Sequence, residues 1–231
     1  MSLLPDDASL ASKLNWLRAG VLGANDGIVS TAGLVFGVAG ATADPVALFI
    51  AGMAGVVAGS LSMAGGEYVS VSSQRDTEIA ALAVEQGALD SDPEGKLSQL
   101  AGFYSSRGLS SELAHQVAQE LTEHNALEAH ARTSLGIDSE EQTSPWHAAW
   151  ASMIAFSLGA LIPLLAIVLT PGDARLPVTL VAVLGALLGT GYISARLGKA
   201  PALPPMLRNL VVGALAMGLT YAVGSFVGMH V

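Results

Sequence analysis

Cysteine is absent from the 231 residues of the chain, so neither a disulfide framework nor a cysteine-based zinc site can form. Charge is scarce too: 13% of the residues are Asp, Glu, Lys or Arg, against roughly 25% in a soluble domain, which points to lipid as the main solvent. Basic charge is the scarcer sign. Ten Lys and Arg face nineteen Asp and Glu, giving a net charge of −9. Nucleic acid needs basic surface and is therefore excluded as a partner. The opening stretch MSLLPDDASLASKLNW has neither a basic region nor a small-residue cleavage site, so it does not read as a signal peptide, and the first apolar segment is expected to direct membrane insertion.

What the chain has instead is apolar length: 52% hydrophobic residues, a mean hydropathy of +0.54 and 26 glycines. Five apolar segments stand out, Ala19–Ala41, Pro45–Val71, Ala148–Thr170, Leu176–Ala195 and Met206–Met229. Each reaches the ~20 residues needed to cross a hydrocarbon core. Pro163, inside the third, is tolerable where neighbours satisfy the freed carbonyl. The spacings Gly20-x-x-Gly23, Gly23-x-x-x-Gly27, Gly33-x-x-x-Gly37 and Gly55-x-x-x-Gly59 offer close helix contacts.

The charge is not spread evenly. Between Ser73 and Trp146 thirteen acids face only Arg75, Lys96, Arg107 and Arg132, so this stretch alone carries the whole net −9. The division expected is residues 1–72 with spans one and two, an acidic module over 73–146, and spans three to five over 147–231. Within the module, Ala80–Leu89 and Pro93–Ser106 carry apolar residues at three- and four-residue spacings around an Asp90–Pro93 turn. Ser110 or Ser111 can cap a third helix, Glu112–Leu135, ended by Gly136. Asp138–Ser144 is the polar connection back. The fold class is thus an all-α membrane protein of five transmembrane helices with a three-helix insert between spans two and three. The helix of span two is expected to run on past Arg75. Nine of the ten basic residues fall on the side of the N-terminus, the insert and the Arg196–Arg208 loop, and only Arg175 on the other. By the positive-inside rule the N-terminus and insert are cytoplasmic and the C-terminus is outside.

Against this background Asp26 is out of place. It lies in the apolar Ala19–Ala41 segment, eight residues beyond Arg18, hence about 12 Å from the cytoplasmic end. A carboxylate there faces a partner, an ion or a water-filled cavity. Glu67 stands eight residues before Arg75, at the same depth, and Met63 shares its helix face one turn deeper. Met53 and Ser60 extend that stripe. Carboxylate oxygen alone suits Mg²⁺ or Ca²⁺, whereas thioether with carboxylate suits Fe²⁺, Mn²⁺, Co²⁺ or Zn²⁺. Carboxylates that take protons as the metal leaves give a route to antiport. Each residue also has a plainer reading: Met63 as a gap filler, Glu67 as an interfacial acid reaching water, Asp26 as a hydrogen-bonding group between helices.

The strings Asn25-Asp26-Gly27-Ile28-Val29-Ser30-Thr31 and Met63-Ala64-Gly65-Gly66-Glu67-Tyr68-Val69-Ser70, followed by Ser73-Gln74-Arg75-Asp76, resemble the vacuolar iron transporter family over essentially the whole chain. The resemblance implies a homodimer whose ion path runs between protomers and is lined by Asp26 and Met63. It implies export of Fe²⁺, and often of Mn²⁺, from the cytosol in exchange for protons, with the metal as cargo and no permanently bound cofactor. In a prokaryote the plasma membrane is the location expected. Family members that bind metal in the insert carry Glu-x-x-Glu on each of its first two helices and Met-Met-x-x-Glu on the third. The matching positions here are Glu85 and Ala88, Lys96 and Gln99, then His130, Ala131 and Ser134. Glu85 keeps its acid and His130 can serve as a ligand, but a multi-carboxylate site cannot be assembled from this set. A transport-inactive membrane scaffold or metal sensor that keeps the fold is the alternative. An intramembrane hydrolase is not expected: spans three to five contain no acid, and His147 and His230 lie only at segment ends.

Overall fold

The computed structural model describes residues 10–137 and 144–230, with the side chains of the first helix described from Ala19 onward. The N-terminal stretch and most of the expected Asp138–Ser144 connection lie outside the described residues. Helix accounts for 90% of the described residues, which contain no strand. The α-helices are α1 (Leu10–Ala41), α2 (Pro45–Ser91), α3 (Pro93–Ser106), α4 (Ser111–His130), α5 (Pro145–Leu169), α6 (Arg175–Leu197) and α7 (Leu203–Gly228). Five of them, α1, α2, α5, α6 and α7, contain stretches long and apolar enough to cross a bilayer. The chain divides into two compact units, Met1–Val69 with Pro145–Val231, and Ser70–Ser144.

In the apolar unit α1 is the central helix, packed on α5, α6 and α7. Its faces can be read off residue by residue. Gly23 and Gly27 lie against α5, where a Cβ on Gly27 would run into the backbone oxygen of Phe156 and stand 2.9 Å from the Ala160 nitrogen. The approach is reciprocal, since Gly159 of α5 leaves no room for a Cβ beside the Ala24 carbonyl. Ile28, Ala32 and Phe36 form a buried cluster with Val183 and Leu187 of α6 and Met217 of α7. Gly33 and Gly37 face Thr220 of α7 at ordinary contact distance, whereas Gly20 approaches nothing within 4 Å. A helix turns ~100° per residue, so fixing residues 27 and 28 on these neighbours turns residues 26, 30 and 34 towards the remaining side.

That side belongs to α2, which meets its neighbours through side chains. Its Leu48 joins Val35 and Ile167 in a small buried cluster. Gly59 accommodates the Phe156 ring, and the Ser60 and Ser157 hydroxyls share a hydrogen bond of 2.7 Å. Asp44 starts the helix, its carboxylate accepting from the Val46 and Ala47 amides at 3.2 and 3.1 Å, with Pro45 at the first helical position. At the same end Arg175 donates to the Thr170 and Ala43 carbonyls, tying the α5–α6 and α1–α2 turns together.

The Ser70–Ser144 unit consists of the tail of α2 with α3 and α4. Ala80–Leu89 is not a separate helix but the continuation of α2, because no glycine or proline interrupts the chain between Gly66 and Gly87. Asp92 caps α3, accepting from the Gly95 amide, and Ser110 caps α4, accepting from that of Leu113. The Glu112–Leu135 helix is not uniform either. Asn125 leaves helical geometry and re-caps the chain by accepting from the Glu128 amide at 3.1 Å, and Ala131–Leu135 form a π-helical turn that ends at left-handed Gly136. Leu100, Ala118 and Ala129 form the apolar core between α3 and α4.

The α1–α5 contact makes a direct prediction. Gly27→Ala forces two backbones apart and should lower stability by about 2–3 kcal/mol, the usual scale of overpacking. Gly66→Ala, with nothing within 4 Å of the new methyl, should be neutral or raise stability by up to ~1 kcal/mol through helix propensity. Reversible unfolding in mixed micelles compares the two, and equal stabilities would contradict the close approach at Gly27.

Candidate functional site

Asp26 and three other polar or sulfur-bearing side chains, Ser30, Ser62 and Met63, collect on the side of α1 left open by its packing. Asp26, Ser30 and Leu34 of α1, Gly55, Ala58, Gly59, Ser62 and Met63 of α2, and Phe156 of α5 line a cavity of about 270 Å³. On α1 the lining residues are spaced by four, and on α2 they recur at intervals of three, one, three and one, so that they share one face of each helix. Asp26 and Met63 are both half-buried and meet in this cavity although 37 residues separate them in the chain. Phe156, fully buried between Gly27 and Gly59, closes it on the α5 side.

The Ser30 hydroxyl donates to the Asp26 backbone carbonyl one turn back, which leaves the Asp26 side chain uncommitted. Among the described residues the Asp26 carboxylate makes no hydrogen bond and no ion pair. It is therefore a carboxyl group presented to a cavity with one thioether and the Ser30 and Ser62 hydroxyls around it. Such a set can bind a cation weakly or take up a proton, and can do each in turn because no fixed positive charge among the described residues lines the cavity.

The other sequence-predicted residues fall elsewhere. Glu67, half-buried on α2, is not among the cavity-lining residues. Ser60 is buried and committed to Ser157, and Met53 is exposed. The stripe Met53–Ser60–Met63–Glu67 thus contributes only Met63 to the cavity. The structure adds Ser30, Ser62 and Phe156. Ser30 carried a signal, being one turn from Asp26. Phe156 carried none, since its role depends on glycines in two other helices.

A second polar network lies on the opposite side of α1. Thr190 of α6 donates to the Asn25 side-chain oxygen at 3.4 Å, and Asn209 of α7 donates to Thr190 at 3.3 Å. Neighbouring residues Asn25 and Asp26 thus point to different surroundings, one bonded to helices and the other facing the cavity.

In the Ser70–Ser144 unit, Glu85 and His130 do come together. The His130 Nδ1 lies 2.9 Å from a Glu85 carboxylate oxygen, close in distance but off the hydrogen-bond axis, so neither ring nitrogen has an aligned partner. Lys96 occupies the same place, donating to both Glu85 oxygens. Desolvation holds the His130 pKa below its usual value, and this outweighs the opposing attraction of Glu85. A neutral imidazole beside a paired carboxylate and ammonium is the result. Among the described residues no three His, Asp or Glu side chains gather as a metal cluster.

The chain is similar to known proteins along most of its length. The VIT family matches residues 17–225, nearly the whole chain. A protein of Acanthamoeba castellanii named vacuolar iron transporter is 41% identical, over 90% of this chain and 77% of its own. Vacuolar iron transporter homolog 3 of Arabidopsis thaliana is 37% identical over 95% of this chain and 87% of its own. Vacuolar iron transporter homolog 5 of rice, Oryza sativa subsp. japonica, is 37% identical over 94% and 82%. With five spanning helices and this likeness along its length, the chain is an integral membrane protein belonging to the VIT family.

Proposed function

We propose that the protein is a transmembrane carrier that exports a divalent transition metal, Fe²⁺ and also Mn²⁺, from the cytosol in exchange for protons. The observation that carries this reading is the shared cavity of Asp26 and Met63, a carboxylate and a thioether brought together on membrane helices with no counter-charge among the described lining residues. The names of the relatives supply the metal. Thioether is a soft, weak ligand and carboxylate a hard, strong one, so the pair suits a borderline ion that must also leave. When it leaves, Asp26 takes a proton, and the return of that proton couples the two movements. Glu67, one turn from Met63 towards the Arg75 end of α2, serves as the acid by which metal or protons enter.

The carrier works as a homodimer. The family resemblance implies a second copy packed on α2 that completes the ion path; α2 has surface to offer, since 17% of its spanning window is buried within one protomer, the same share as in α7 and against 44% for α1. On the basic bias we read the N-terminus and the Ser70–Ser144 unit as cytoplasmic and the C-terminus as extracytoplasmic; in a prokaryote the membrane crossed is the plasma membrane. The Tyr68–Trp146 ring pair, and Arg196 over the Tyr192 ring, supply the aromatic and basic side chains expected at the cytoplasmic interface. A transport-inactive scaffold or sensor is the second reading. It is favoured by the lysine that fills the Glu85–His130 site, and opposed by the open carboxylate at Asp26.

Proteoliposome flux with an internal pH dye tests the leading reading. Asp26→Asn keeps shape but loses charge and proton exchange, and flux should fall by about a hundredfold with the proton signal lost in parallel. Wild-type flux from that variant would make Asp26 structural, and absence of flux from the wild-type protein for every metal would favour the scaffold. Met63→Leu conserves volume, and should slow Fe²⁺ and Co²⁺ more than Mn²⁺. An equal loss for all metals would remove sulfur from the ligand set. For orientation, single cysteines at Ala43 and at Ser91 should react with an impermeant maleimide from outside and inside respectively, and the opposite pattern would invert the topology.

A further inference from the structure

The Ser70–Ser144 unit contains a buried group of charges that a membrane carrier has no use for in its ion path. Glu85 comes from the tail of α2, Lys96 from α3 and His130 from α4. The Lys96 ammonium donates to the two Glu85 oxygens at 2.8 and 2.9 Å. Their side chains are 17% and 10% exposed, while that of His130 is not exposed at all. The His130 Nε2 is buried without a partner. Two polar groups that could bind a metal, a carboxylate and an imidazole, thus converge from different helices, and the cation between the helices belongs to the chain itself.

This group also bears on how the unit holds together. The apolar core lies between α3 and α4, and between residues 70 and 91 only Glu85 and Leu89 of α2 are buried. One of the two buried attachments of the α2 tail is therefore the ionic one. Removing one member of such a group leaves an uncompensated buried charge, so the attachment is all-or-none. The other charges at this end of α4, Glu128 and Arg132, pair with each other at the surface at 3.0 Å.

We propose that Glu85 and His130 form a cation site whose resident cation is the Lys96 ammonium, so that the unit closes on α2 without metal and takes no divalent ion while the lysine is in place. Lys96 engages both carboxylate oxygens, and its positive charge repels a second cation from the imidazole. The proposal concerns this unit alone and holds whether or not the protein transports.

Hydrogen exchange on the full chain in lipid nanodiscs tests it, read on amides of the α2 tail and α3, with the membrane helices as internal standard and Zn²⁺ as probe. Wild-type exchange should be slow and unchanged by Zn²⁺ or by a chelator. Lys96→Met keeps the stem and removes the charge, and should speed exchange in the α2 tail by about a hundredfold. Lys96→Glu should exchange fast without metal and slow again when Zn²⁺ is added, since two carboxylates and an imidazole then share one site. If either Lys96 variant also speeds exchange in the membrane helices, Glu85→Gln replaces it and should loosen only the Ser70–Ser144 unit. Slowing of wild-type exchange by Zn²⁺ would overturn the proposal. So would wild-type protection in Lys96→Met, or a Lys96→Glu protein indifferent to Zn²⁺.

Discussion

The contact between the backbones of α1 and α5 is the constraint from which the membrane unit follows. Helices in lipid gain little by burying apolar surface against each other, because the tails they displace are equally apolar. What holds them is dispersion at short range, which needs small residues at matching heights. Gly27 against Phe156 and Gly159 against Ala24 provide these on both partners. Once that approach is fixed, the rotation of α1 is fixed with it. Ile28 must then meet α6 and α7, Asn25 must meet Thr190, and Asp26 must face the side where no backbone approaches.

The cavity exists because α2 is held off by larger groups. Phe156 stands between it and α1, with its ring against Gly59, and Leu164 stands above Gly52. One hydrogen bond, Ser60 to Ser157, fixes the distance on the α5 side. Phe156 thus offers its carbonyl edge to α1 and its ring to α2, and the space left beside it contains Asp26 and Met63. Enlarging Gly59 would push on a ring that is already fully buried, so the glycine sets cavity width as well as helix distance.

The five apolar lengths and the odd carboxylate at Asp26 were legible in the sequence because each rests on one segment read alone. The helix starts at Pro93 and Ser110 were legible for the same reason, as caps are local. The stripe on α2 was legible only in part. Periodicity gathered Met53, Ser60, Met63 and Glu67 on one face, but a hydroxyl bonds to whatever stands opposite, and Ser157 lies 97 residues away. The break at Asn125 was missed because its cue, a side chain capping Glu128 inside an amphipathic pattern, is weaker than the pattern. Lys96 is the clearest case of incomplete reading. The sequence marked it as a loss of a carboxylate, whereas the structure makes it the partner of the carboxylate that remains.

Asp26 and Glu85 are the same chemistry in opposite settings, and the difference lies in what the surrounding helices supply. Glu85 meets an ammonium on a flexible four-carbon stem from the next helix, and the pair needs no further cation. The described residues that line the cavity with Asp26 are serine, glycine, alanine, leucine, methionine and phenylalanine, none of which can carry a positive charge. A half-buried carboxylate within a membrane helix is stabilised by whatever cation or proton reaches it. A lysine within reach of Asp26 would stabilise the protein and end any exchange at that site. Among the described residues no fixed positive charge lines the Asp26 cavity, and in the proposed carrier that is what would let mobile cations exchange there, whereas the lysine at Glu85 makes a permanent joint.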